Sequence, residues 1–480
     1  VSQVKWSLFY SFLQNYAGLA LSILATVVLA RLLSPAETGL YSIAAAIINI
    51  LQVLREFGTG PYIIQEPDLT AGKLRGAMTL SLGLGLLLCI VFMASSTAIA
   101  GFFGEPRLVL IIRLLSVNFL LVGLTSVSTA QLQRAMRFDA LLRISLVQNI
   151  VHTAISIALA VRGYGALGMA WAALASSLAT MVACASSLGR AFWIRPGLTG
   201  WRAPLIFGAY ACPGNLLAFM SVRLPDVIIG RLLGFEMAGL FSRGNGLVSL
   251  FEQAVMRGII PVAESAMAER RRMGGDIAND FVVTLRYLTV VGWPCLAMMS
   301  YLAGPIILLA FGSVWLPAVP VAQILCGSAG FVVLNTACIS LMIATGAARR
   351  FLAQQVLSVT VLVAALVLGA RLGLAGAAWG VAAWSCLLAG LSLHQARTIL
   401  KVRLVALLRP LGSGLLVTGL TMIPTALIGA RLQPTPILIA ELALPAGAAW
   451  LGALFLVRHP LAPELVRLAK NLKARLRAAR

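Results

Sequence analysis

The sequence predicts an all-α polytopic membrane protein with about fourteen transmembrane helices. Three observations carry this. Hydrophobic residues make up 60% of the chain, charged residues only 11%, and the mean hydropathy is +0.95, far above the composition of a soluble domain. Apolar runs of roughly 20 residues, the length that spans a hydrocarbon core as helix, recur from one end to the other. The runs are continuous rather than alternating, which argues against a membrane β-barrel, and an open sheet would leave edge N–H and C=O groups unpaired in lipid.

The expected spans are 8–30, 39–64, 76–103, 108–130, 143–161, 165–188, 204–222, 236–257, 283–310, 318–344, 351–369, 373–396, 408–430 and 436–457. The first run, from Leu8 to Leu33, is too long for a signal-peptide core and reads as an uncleaved span. Lys and Arg fix the expected orientation. Twenty-seven of the 37 basic residues lie in the even loops and the two tails, against eight in the odd loops and their rims. The rich side is expected to be cytoplasmic, which places both termini there and the protein in a bacterial inner membrane. Most of the net charge of +22 is therefore an orientation signal and not a nucleic-acid footprint. In the tail, Leu461, Leu465, Leu468, Leu472 and Leu476 share one helical face amid Arg467, Lys470, Lys473 and Arg477. That pattern predicts an amphipathic helix on anionic membrane lipid.

The seven cysteines, all in or beside apolar runs with no CxxC pair, read as small core residues. His152, His394 and His459 stand apart, so no histidine metal site is expected and no cofactor is implied.

The chain repeats itself. A-R-L-L-S-P-A-E-T-G-L-Y-S (30–42) returns as G-R-L-L-G-F-E-M-A-G-L-F-S (230–242), an offset of 200. Phe103-Gly104 returns as Phe311-Gly312, and Gly165, Gly168, Ala170 and Trp171 return as Gly373, Gly376, Ala378 and Trp379, an offset of 208. The shift implies about eight extra residues in the second copy before position 311, with the long loop after span 8 the natural place. Six spans per copy makes the repeats parallel, an arrangement that puts substrate between the halves. The expected domains are 1–200, 201–400, a pair of spans outside the repeat at 401–457, and the basic tail 458–480.

Few ionised residues fall inside spans, where they are costly and normally face a cavity or a partner. Arg55 and Glu56 lie in span 2, and Arg243, Glu252 and Arg257 in span 8, the equivalent span of the second copy. Guanidinium groups from two such helices, Arg55 and Arg243 with Arg257, would suit an anionic substrate group. Gln14, Asn15 and Asn215 are candidate polar contacts for a substrate, and Asn15 and Asn215 equally suit interhelical hydrogen bonding. Arg55–Glu56 also reads as a local ion pair, and Arg31 and Arg231 as interface anchors. Glu56, Asp226 and Glu252 are the candidate carriers of proton or sodium coupling.

The blocks L-A-R-L-L-S-P-A-E-T-G-L-Y-S (29–42), Q-R-A-M-R-F (133–138) and F-G-S-V-W-L-P-A-V-P-V-A-Q-I-L (311–325) resemble Wzx-like polysaccharide flippases of the multidrug/oligosaccharidyl-lipid/polysaccharide exporter superfamily. The resemblance runs from the first span through span 12. It implies two six-helix bundles in a V, and a function: moving undecaprenyl-diphosphate-linked oligosaccharide between leaflets by alternating access, without enzymatic chemistry. Genes for glycosyltransferases and a polysaccharide polymerase alongside would favour this reading over its rivals. Arg55, in L-R-E-F-G, matches a second-span arginine of the related lipid II flippases. Their first-span Arg-Asp pair has no match in the apolar Leu24-Ala25-Thr26-Val27, which argues against a peptidoglycan-precursor role. A drug or cation antiporter would want buried carboxylates without nearby arginines. A glycan polymerase or ligase would want a large periplasmic loop, and no odd loop approaches that size.

Overall fold

The computed structural model describes residues 2–197, 199–256, 259–260, 273, 277–429, 437–464 and 466–467. The described residues are almost wholly helical, as the absence of hydrogen-bonding solvent in a bilayer requires. The α-helices are α1 (Ser2–Leu32), α2 (Pro35–Glu56), α3 (Thr59–Gln65), α4 (Ala71–Phe103), α5 (Arg107–Arg134), α6 (Phe138–Val161), α7 (Gly165–Leu188) and α8 (Arg202–Leu233). They continue as α9 (Phe235–Phe251), α10 (Ile277–Tyr301), α11 (Ala303–Phe311), α12 (Val319–Thr345), α13 (Ala348–Ala370), α14 (Gly373–Leu400), α15 (Leu404–Gly429) and α16 (Ile437–Leu456).

Each expected span lies on helix, but several are interrupted. The second breaks between α2 and α3, where Phe57 (φ 37°) and Gly58 (φ 69°) are left-handed. The eighth passes from α9 into a π-helical turn at Glu252–Met256, and the ninth divides into α10 and α11 at Leu302. Eleven helices among the described residues are long and apolar enough to cross a membrane, and Leu444–Leu456 is a shorter apolar segment. The tail beyond 467, with the amphipathic face expected there, lies outside the described residues. So does most of the loop at 261–276 expected to hold the second copy's extra residues.

Local signals set the ends. Ser34 caps α2 by accepting from the Glu37 N–H (3.3 Å), with Pro35 at the first turn, where its missing donor costs nothing. Thr70 caps α4 through the Lys73 N–H (3.3 Å), and Gly104 closes it in the left-handed region (φ 71°).

The chain forms two compact units, residues 1–242 with 352–377, and residues 243–351 with 378–480. In the first, α4 packs on α5, α5 on α7, α6 on α1 and α7, and α8 along α2. Lipid is as apolar as leucine, so close approach at small residues does the joining. A Cβ at Gly85 would stand 2.6 Å from the Phe119 carbonyl oxygen, and one at Gly123 would stand 3.1 Å from that of Ser81. Ser81 Oγ in turn donates to the Gly123 carbonyl (3.0 Å). Leu40, Ile111, Ile112 and Phe119 fill the space between α2, α5 and α4.

In the second unit α10 packs on α12 and α15, and α15 on α16. Trp293 Nε1 donates to the Gly330 carbonyl (2.9 Å) and Trp450 Nε1 to that of Val290 (3.0 Å), so each indole buries its body and keeps its donor satisfied. Ser328 bonds Ser385 (3.0 Å) and Ser392 donates to Asn335 Oδ1 (2.7 Å), two buried polar rungs a couple of turns apart between α12 and α14. After α16, Tyr287 Oη donates to Glu464 (2.9 Å) and packs edge-on to His459, which fastens the start of the tail to α10.

Candidate functional site

Arg55 lies in the last turn of α2, where a cation suits the helix dipole. Its side chain is 1% exposed, among the largest fully buried in the protein. Nη2 meets Glu56 at 3.2 Å, but the Glu56 side chain is 59% exposed, and a half-solvated carboxylate offsets little of a buried charge. Nε and Nη1 are buried and have no hydrogen-bond partner among the described residues. The helix stops immediately afterwards: Phe57 turns left-handed and Thr59 Oγ1 donates to the Glu56 carbonyl (2.7 Å). Arg55 is thus a guanidinium enclosed by protein with donor capacity left over.

Arg243 lies on α9 within the second unit. Its Cζ stands 5.1 Å from the Trp315 ring centroid and 5.5 Å from that of Phe311. Trp315 is fully buried in the 3₁₀ turn Ser313–Ala318, edge-on to Phe311. Gly244 lets Val321 and Ala322 come close, at 3.0 and 3.1 Å from where a Cβ would be. Ring faces attract the cation without using its N–H groups, and Nε is buried with no partner among the described residues.

The other predicted residues fall as follows. Asp226, on α8, is buried, and its Oδ1 has no partner among the described residues; the Nε of Arg223, one turn earlier, has none either. Glu252 opens the π-helical turn and is exposed. On α1, Gln14 is half-buried and Asn15 exposed, beside Tyr16, whose ring stacks on Phe12 at 6.4 Å. Asn215 lies on α8, its side chain outside what is described, and Arg257 lies outside the described residues. Arg55, Asp226, Gln14 and Asn15 belong to the first unit and Arg243 and Glu252 to the second.

Sequence reasoning missed a second polar centre. Glu37, inside the 29–42 block, joins three helices: Arg107 donates to its Oε1, and the Ala166 N–H at the start of α7 donates to its Oε2 (2.7 Å). Arg107 also holds Glu105 (Nε to Oε1, 2.9 Å), and that bond, more than any other influence, keeps the Glu105 carboxyl below its usual range. The spacing Ser34-x-x-Glu37 was a readable capping-box signal, but the carboxylate reaches outward instead of back. Glu37, Arg107 and Ala166 line a cavity of about 630 Å3 with Ser34 and Tyr164. A mostly apolar cavity of about 800 Å3 lies in the second unit among α10, α12 and α15, lined by Trp293, Tyr301, Gln323, Phe331 and Leu415. Among the described residues, no group of three or more His, Cys, Asp or Glu could hold a metal.

Residues 28–320 match the family described as polysaccharide biosynthesis protein. The chain is 25% identical to the teichuronic acid biosynthesis protein TuaB of Bacillus subtilis over 285 residues, 57% of each chain. It is 23% identical to the lipopolysaccharide biosynthesis protein WzxC of Escherichia coli, over 68% of this chain and 66% of that one. The matched segment thus spans less than two thirds of either relative. Among solved structures, the lipid II flippase MurJ in an inward closed conformation shares the fold, with a TM-score of 0.71 at 12% identity over 96% of this chain and 100% of that chain. The chain belongs to the polysaccharide biosynthesis protein family, the assignment its blocks at 29–42, 133–138 and 311–325 imply.

Proposed function

We propose that this protein flips an undecaprenyl-diphosphate-linked oligosaccharide from the cytoplasmic to the periplasmic leaflet of a bacterial inner membrane. The glycan would serve O-antigen, exopolysaccharide or capsule synthesis. The chain would cross the membrane fourteen times with both termini cytoplasmic, as two six-helix bundles working by alternating access, and would carry out no covalent chemistry. The observation that carries the reading is the family match over residues 28–320, and the buried arginines add the sign of the cargo. Arg55 Nε and Nη1 and Arg243 Nε are buried without a hydrogen-bond partner among the described residues, on helices this reading takes as membrane-spanning. A diphosphate would supply the missing acceptors bidentately. The apolar cavity beside α15 suits part of an isoprenoid chain. Arg257, Gln14, Asn15 and Asn215 remain proposed contacts to substrate, and Glu56, Asp226 and Glu252 proposed carriers of proton or sodium coupling.

Deletion should build up lipid-linked oligosaccharide in the cytoplasmic leaflet. Arg55→Ala and Arg243→Ala should each fail to relieve it while inserting normally, with export falling about 10–100-fold, the worth of a charge-assisted hydrogen bond or two. Normal export by both variants would remove the cationic seat. Arg243→Lys, which keeps charge without the fork, should restore only part of the activity.

A further inference from the structure

The two ends of α2 are held by contacts that only glycine allows. At its start, a Cβ on Gly39 would overlap the Phe235 carbonyl, and a Cβ on Gly239 would overlap the Pro35 carbonyl. These pairs are the same contact read twice: 35 and 235, and 39 and 239, are equivalent positions of the internal repeat at its offset of 200. The two glycines therefore meet back to back about a local twofold, and the opposing backbones touch directly. Around them, Arg231 lies over the Phe102 ring (4.8 Å), Phe235 packs on Phe103 (6.4 Å), and Gly230 receives Ile43. At the other end of α2, a Cβ on Gly208 would overlap the Phe57 carbonyl and ring, and one on Gly58 would stand 3.1 Å from Phe207.

These contacts lie about 27 Å apart along the helix axis (18 residues at 1.5 Å each), close to the thickness of a hydrocarbon core of about 30 Å. Between them α8 carries Pro213 and Pro225, each of which removes a backbone hydrogen bond and offers a bend point. Cys212 lies under the Gly208 end, 5% exposed, its Sγ 3.8 Å from the Val53 carbonyl. Arg55 is two residues from Phe57 and equally enclosed.

We infer that the two glycine contacts are gates at the two ends of α2, one against the start of α9 and one against α8, and that this structure holds both shut. The inference deepens the proposed flippase reading and rests on it for the direction of the two faces. The Gly39–Gly239 contact lies toward the odd loops and closes the periplasmic end. The Gly208–Phe57 contact closes the cytoplasmic end over Arg55. At the Gly39–Gly239 contact bare backbone suits this role, because two surfaces without side chains separate and re-form without repacking rotamers. An added methyl overlaps backbone atoms that have no room to yield, so it biases that gate open.

The test uses the full chain in membrane vesicles and needs no substrate, so it can fail independently of the transport assay. Modification of Cys212 by a membrane-impermeant maleimide is read by mass spectrometry, in inside-out vesicles and in whole cells. Gly208→Ala should raise Cys212 modification in inside-out vesicles about tenfold over the parent, the size of population shift an overlap in a packed interface produces. Gly39→Ala and Gly239→Ala should lower it, because an open periplasmic gate requires the other to close. Phe102→Leu, which removes the ring under Arg231 without any overlap, should act in the same direction as Gly39→Ala with smaller amplitude. Cys184, fully buried elsewhere in the same unit, should stay unmodified throughout. The inference is overturned if Gly208→Ala leaves Cys212 unchanged, if variants at both ends move it the same way, or if Cys184 rises in step with it.

Discussion

The start of α5 and its counterpart in the second copy, the 3₁₀ turn Ser313–Ala318, put equivalent positions to opposite chemical use. Arg107 and Trp315 are equivalent at the 208 offset, as are Phe103 and Phe311, and Ile43 and Arg243 are equivalent at the 200 offset. In the first copy the cation is Arg107, 58% exposed, with donors committed to Glu37 and Glu105. In the second copy the same position is a fully buried tryptophan, and the cation has moved to α9, over its ring. Ile43, where Arg243 would be expected, is an ordinary core residue packed on Gly230. The difference teaches that the repeat preserves a frame and lets the charge be reassigned. A guanidinium neutralised by carboxylates is a strut, whereas one faced by aromatic rings keeps N–H donors free for a ligand.

The comparison can be broken most forcefully at Trp315. Trp315→Ala removes a fully buried indole and one face of the aromatic contact, so it should cost about 3–5 kcal/mol, read as a lower unfolding midpoint in detergent. A loss under about 1 kcal/mol would mean that the ring is not part of a packed core. In the first copy, Glu37→Ala strips α7 of the acceptor for the Ala166 N–H and Arg107 of one partner. The cost should be about 1 kcal/mol, the usual worth of a capping group, and Glu37→Gln should recover part of it. If Glu37→Ala proved as damaging as Trp315→Ala, the exposed network would be holding the unit together and the contrast would collapse.

The smallest effect separates the two copies by pH. The Arg107 hydrogen bond holds the Glu105 carboxyl below the ordinary glutamate value of about 4.3. A depressed carboxylate contributes stability that is fully present above its unfolded value and is lost as pH falls through the folded one. Relative to the intrinsic rate at each pH, hydrogen exchange at residues 105–109 should therefore quicken as pH falls below the ordinary glutamate range, while residues 313–318, where Arg243 faces rings, should keep their protection. Equal quickening at both would show that acid acts on something the copies share.

The helices and their order could be read in advance because each expected span is a continuous apolar run bounded by capping signals such as Ser34-Pro35 and Gly104. The interruptions could not. Phe57 is left-handed where α8 presses Gly208 against it, a neighbour 151 positions away. The repeat blocks pointed at Gly39 and Gly239 as recurring letters, and only their packing makes them touching surfaces. Arg55 and Arg243 stood out as charges in apolar runs, whereas the Phe311–Trp315 cage came from a block already noted for family likeness, with no signal tying it to Arg243. Glu37 was hidden because a capping residue has a complete local explanation and gives no hint of a second role.

From sequence alone came a helical protein of the membrane, the positions of its spans, its internal duplication and its family kinship. Those follow from local rules: lipid satisfies no backbone hydrogen bonds, so long apolar runs must be helices whatever they pack against. Tertiary structure decided which charges are neutralised, which helices break and which backbones touch. Such outcomes depend on what a distant segment brings within a few ångströms, and no local pattern encodes the identity of that neighbour.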